Sequence, residues 1–139
     1  MRFTSGGRKR FLIFGMLMLV AACGTGGRRS LQGSPLAVIV SDPTGSNEEA
    51  VAEGRLEVVD GCVSVQSFVL VWPDSRTKWF EEDRTVEFTP VGGEAIRLSL
   101  GDHVLVGGSG DGVTEGVEWA NLPCTLGPHA LVSNIEVME

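Results

Sequence analysis

From Arg55 to the C-terminus, turn signals recur roughly every 8 to 12 residues between short apolar runs, a rhythm that leaves room for strands and little else. "RLEVVDGCVSV" holds two such runs around Asp60 and Gly61, the pair that favours a two-residue hairpin turn with positive φ. "FVLVW" is wholly apolar and stops at Pro73, which has no N–H to give a ladder. "TVEF" alternates, setting Val86 and Phe88 on one face and Thr85 and Glu87 on the other. "PVGGEAIRLSL" turns at Gly92 and Gly93, then alternates Ile96, Leu98 and Leu100 with Arg97 and Ser99. "GDHVLV" turns at Gly101 and Asp102 and sends Val104 and Val106 inward, and "LVSNIEV" (131–137) closes the chain. Six or seven short strands in this rhythm predict an all-β fold, a small closed or partly open barrel, with a β-sandwich as the alternative. Closing the sheet removes the exposed strand edges that promote aggregation.

Ahead of Arg55 the signals are weaker. "LAVIV" (36–40) is bounded by Pro35 and "SDPTG" and reads as a short strand. "SNEEAVAEG" opens with Ser46 and Glu49 in capping-box spacing and predicts a brief helical turn that Gly54 stops. "GTGGRRSLQGSP" (24–35) has the composition of a flexible tether with a reach of about 20 Å.

The first residues divide into zones. "MRFTSGGRKR" carries Arg2, Arg8, Lys9 and Arg10 and no acid, and "FLIFGMLMLVAA" follows as twelve residues without charge. A bilayer span needs about 20 apolar residues. A basic head, a short apolar middle and small residues at its end are the layout of an export signal. "VAAC", ending in Cys23, resembles the lipobox of bacterial lipoproteins: an aliphatic residue, two small residues, then cysteine. The resemblance implies that residues 1–22 are removed and that the Cys23 thiol carries a diacylglyceryl group, placing the protein at the cell membrane on its extracytoplasmic side. Two acyl chains suffice for stable anchoring, where one is marginal. With Cys23 so used, Cys62 and Cys124 remain as an even pair in an oxidising compartment, and a disulfide between them is expected. The organisation read from the sequence is thus a signal (1–22), a lipidated N-terminus and tether (23–54), and a β-domain (55–139). The pattern "GRLEVVDGCVSV…VLVWPD…LSLGDHVLVGG" is similar to small exported bacterial domains of OB-like barrel shape, a resemblance that implies a fold and no activity.

Charge narrows the partners. Without the four basic residues of the head, seven remain against eighteen acids, so the mature chain is near −11. Such a surface repels phosphate backbones, which argues against nucleic acid, and it has no polybasic patch for anionic lipid. The partners expected are membrane lipid, through Cys23, and an envelope protein or glycan.

Few residues could carry chemistry. His103 and His129 are the only imidazoles, and there is no tyrosine. Asp102 directly precedes His103, and strand neighbours point to opposite faces. No G-x-S-x-G surrounds a serine. Catalysis is therefore not expected, nor is a cofactor, and His129, after Pro128, reads as a surface loop residue. "GGSGDGVTEG" (107–116) lacks the lysine of a phosphate cradle. Its Asp111 and Glu115 make a weak calcium site at most, and a hairpin tip is the expectation. Of the three tryptophans, Trp72 is expected in the core and Trp119 under the Cys124 loop. Trp79 and Phe80 lie in the charged stretch "SRTKWFEED" and are the candidates to contact a ligand.

Overall fold

Asp60 and Gly61 form the predicted turn, with φ of 51° and 92°. They join β2 (Ala50–Val59) to β3 (Cys62–Val65), in a register that sets Val59 opposite Cys62 and Leu56 opposite Val65. This computed structural model describes residues 31–41, 49–110 and 114–139. Among the described residues ten strands follow in order: β1 (Ala37–Ile39), β2, β3, β4 (Phe68–Pro73), β5 (Thr77–Phe80), β6 (Thr85–Phe88), β7 (Ile96–Ser99), β8 (His103–Ser109), β9 (Trp119–Asn121) and β10 (His129–Val137). A 3-10 turn (Asp74–Arg76) links β4 to β5. The all-β class is as the sequence predicts.

Seven strands form one mixed sheet in the order β10-β8-β2-β3-β4-β1-β9, and β10 pairs with β4 as well. Both β1 and the first three residues of β10 run parallel to β4; the remaining pairings are antiparallel. β10 pairs with β4 over His129–Leu131 and with β8 from Leu131 to Val137, the β8 register shifting between Val132 and Asn134. Close approach at that crossing explains Gly108, where an added Cβ would collide with the Leu131 carbonyl. The second sheet is a meander, β5-β6-β7, inserted between β4 and β8.

One core serves both sheets. Leu56, Val63, Val65, Leu70, Trp72, Val104, Val106 and Ile135 from the large sheet pack with Trp79, Val86, Phe88 and Leu98 from the meander. Trp72 and Phe88 meet edge to face, with ring centroids 5.8 Å apart, a contact contributing about 1 kcal/mol beyond area burial. A smaller cluster of Ile39, Val71 and Leu131 packs with Val117, Trp119 and Leu126, so Trp119 meets the loop carrying Cys124.

Two expectations for the early chain are corrected. The segment 46–54 was expected as a helical turn, but Ala50 opens a ten-residue strand. Ala52 and Leu56 are buried with Gly54 half-buried between them, a period of two that carries through the glycine, and β8 supplies a full ladder of partners. One isolated turn of helix, costly to nucleate, cannot compete with that. Ser46 lies outside the described residues. The tether and boundary also move. Leu31 and Leu36 are buried in the main core, and Pro35 O accepts from Val63 N at 2.7 Å, so the folded unit reaches back well ahead of Arg55. β1 is buried on both faces between β4 and β9, as an unbroken apolar run should be.

Candidate binding cleft

The β5–β6 hairpin builds one wall of a cleft. In β5, Thr77 and Trp79 point inward and Lys78 outward. Trp79 packs in the core at 4% exposure, while the turn after Phe80 carries Glu81, Glu82 and Asp83 at the surface. Arg84 closes the turn with φ 50° and donates its N–H to Glu81 O. Trp79 Nε1 donates to Glu81 Oε2 at 2.6 Å, which fixes that carboxylate without neutralising it. Arg97, from β7, lies 4.0 Å above the Phe80 ring, donates to Thr85 Oγ1 at 3.2 Å and pairs with Asp83 Oδ2 at 3.3 Å.

Residues 32–34 form the opposite wall, and a distant side chain holds them. Asn121 Nδ2 donates to Ser34 O at 3.0 Å and to Leu36 O at 2.9 Å, and it lies 3.3 Å from Ser34 Oγ. The Ser34 hydroxyl donates to Leu31 O at 2.6 Å and accepts from Leu36 N at 3.3 Å. Between the walls is a space of about 650 Å³ lined by Gln32, Gly33, Ser34 and residues 79–83. That volume is ordinary for a small-ligand site. On the other side of Gln32 a hollow of about 250 Å³ adds Asp74, Glu118 and Trp119.

Trp79 and Phe80 therefore do border a cleft, though not as an exposed aromatic pair. Trp79 is buried, and the guanidinium of Arg97 covers one face of the half-buried Phe80 ring. The carboxylates are what the cleft presents. Asn121, which sequence reasoning missed, is the residue that fixes the N-terminal wall; its partners lie 85 and 87 residues away, beyond any local signal.

The remaining candidates are dispersed. Cys62 and Cys124 are bonded, with Cα atoms 5.6 Å apart, fastening the first hairpin to the 122–128 loop. His129 is not a surface loop residue: it opens β10, is buried, and has its Nε2 3.1 Å from Thr114 Oγ1. It precedes Ala130 and Leu131 on a strand that pairs with β4, which draws it inside. His103 is half-exposed beside Glu53 at 3.3 Å. Asp102 instead accepts from Ser99 N at 2.9 Å. Of the glycine-rich stretch 107–116, Gly107, Gly108 and Ser109 belong to β8 rather than to a hairpin tip, because β10 pairs with all three and β2 with Gly107. Glu115 is exposed, while Asp111 and Cys23 lie outside the described residues. Among the described residues no group of three His, Cys, Asp or Glu is placed to hold a metal, and no helix is long and apolar enough to cross a membrane.

Comparison with protein-family models, curated proteins and solved structures returned no match.

Proposed function

We propose that the chain is a cell-envelope lipoprotein whose mature part is an OB-like barrel acting as a non-enzymatic binding module. The lipobox ending in Cys23 supports the anchor. Strand pairings support the barrel: β2 joins β3, β3 joins β4, β4 joins β10, β10 joins β8, and β8 returns to β2. Five strands in such a ring, opened by the meander β2-β3-β4, suit an OB-like barrel. In this reading the β5-β6-β7 sheet closes one end of the barrel with Trp79, Val86, Phe88 and Leu98, and β1 and β9 flank it.

The observation that carries the binding reading is the cleft with two separately fastened walls, one held by Asn121 and the other by the meander. A surface left open between rigid elements loses little order when a ligand settles there. Site-specific photo-crosslinking in intact cells tests it. A crosslinker at Gln32 is expected to give an adduct of one defined mass in the membrane fraction, and one at exposed Glu57 none. Equal labelling from both sites, or none from either, would remove the binding module. Mass spectrometry of the purified native chain tests the anchor, with Cys23 expected as the first residue bearing a diacylglyceryl group. A chain that begins at Met1, or carries a free thiol at position 23, would refute it.

A further inference from the structure

We infer that the Cys62–Cys124 bond is a reducible clasp: a dithiol opens it at Cys124, and opening it loosens the N-terminal wall of the cleft. The inference goes beyond the binding-module reading and holds whatever the cleft receives. The two cysteines stand beside the two anchors of that wall. Val63, next to Cys62, donates its N–H to Pro35 O at 2.7 Å. Asn121, three residues before Cys124, donates to Ser34 O and Leu36 O. With Cα atoms 5.6 Å apart, the bond joins both anchors into one unit around residues 34–36. Its two sides are unequally held without it. Cys62 opens β3, which keeps its ladder with β2 and its buried Val63 and Val65. On the other side Leu126 packs in the small apolar cluster and Pro128 O accepts from Val69 N at 2.8 Å, both beyond Cys124 from Asn121. Leu122, Pro123 and Thr125 are exposed, and β9 is an edge strand paired with β1 across a register shift. Cutting the bond therefore leaves Asn121 at the end of a short edge strand followed by slack chain, and the wall loses the rigidity of its clamp.

Access is one-sided as well. Cys62 is fully buried, whereas Cys124 is half-buried and lines a hollow of about 170 Å³ with Val59, Asp60, Thr125 and Gly127. A thiolate of the dithiol attacks Cys124 Sγ through that hollow, the bond to Cys62 breaks, and the Cys62 sulfur leaves with the electron pair and takes a proton. The second thiol of the reductant gives up its proton, attacks its partner sulfur in the mixed disulfide and releases Cys124, which is protonated in turn. Two electrons and two protons pass to the protein, and the dithiol ends as a disulfide.

The test uses the purified full chain without denaturant. Glutathione, a monothiol, is expected to leave its mixed disulfide on Cys124, located by peptide mass spectrometry, and dithiothreitol is expected to reduce the bond completely. Hydrogen exchange is then followed with dithiothreitol present. Because losing the bond also weakens the whole fold, the control is the disulfide-intact Phe88→Ala chain, weakened through its core instead. The ratio of exchange rates, residues 31–36 over β8, is expected to be about tenfold higher in the reduced chain than in that control. Equal ratios would make the bond a general staple and overturn the clasp. So would an adduct on Cys62, or a bond that resists both thiols until the chain is unfolded. A reduced chain that has lost its near-ultraviolet tryptophan dichroism has unfolded as a whole, and that too overturns a local release. The Gln32 crosslink is read on the oxidised chain, so each of these results leaves the binding module standing, and loss of the crosslink leaves the clasp standing.

Discussion

Replacing Asn121 with alanine isolates one side chain that joins the two ends of the folded chain. Its amide nitrogen has two protons, so at most two full-strength hydrogen bonds are lost from the contacts with Ser34 and Leu36. At about 1 kcal/mol net for each bond the loss is about 2 kcal/mol. The acceptors belong to Ser34 and Leu36, 2% and 0% exposed, so water reaches them poorly and part of the desolvation penalty is added, bringing the total to about 3 kcal/mol. Urea unfolding of the mature chain should show a lower midpoint with an unchanged slope, and thermal melting should drop by roughly 10 °C or more. Hydrogen exchange at residues 31–36 should rise more than at β3, because the lead-in loses its clamp while the hairpin keeps its ladder. Asn121→Asp should be worse than alanine, since a carboxylate would confront carbonyl oxygens with no proton to offer. A stability loss under about 0.5 kcal/mol would show that the contacts are not what fixes this wall.

Three further outcomes are expected. The double variant Cys62→Ser, Cys124→Ser should lose about 4 kcal/mol on the chain-entropy model for a separation of 62 residues, measured by denaturant unfolding against the oxidised parent. Phe88→Ala removes a fully buried ring packed against Trp72 and should destabilise by about 3–5 kcal/mol in the same assay. Arg97→Ala should lower stability by less than about 1 kcal/mol in the same assay, its pair with Asp83 being exposed.

Local rules made most strands legible. Asp60 and Gly61 announce their hairpin because the turn's own φ requirement selects them, and "TVEF" announces its buried face because alternation is a property of four adjacent residues. The lead-in was not legible for the opposite reason. Gly33, Ser34 and Pro35 have the composition of loose coil, and only Asn121 and Val63 make them part of the body. The capping box before Ala50 was a true local signal outweighed by a distant strand. Trp79 misled through its charged neighbours, although "TKWF" held a usable cue: Thr77 and Trp79 share a parity opposite to Lys78, and the structure buries that parity. The acidic border of the cleft was visible as "EED" in the sequence, but Asp74 and Glu118 join it only through the topology.

Burial of Leu31 has a geometric consequence for a lipid-bearing Cys23. Residues 24–30 lie between Cys23 and Leu31 in sequence, and a stretch of that length spans about 28 Å at full extension. Gln32, one residue into the body, could therefore stand little farther than that from the headgroup plane. Whatever enters beside it would do so in the thin layer of periphery next to the bilayer, out of reach of structures that cannot approach the lipid closely.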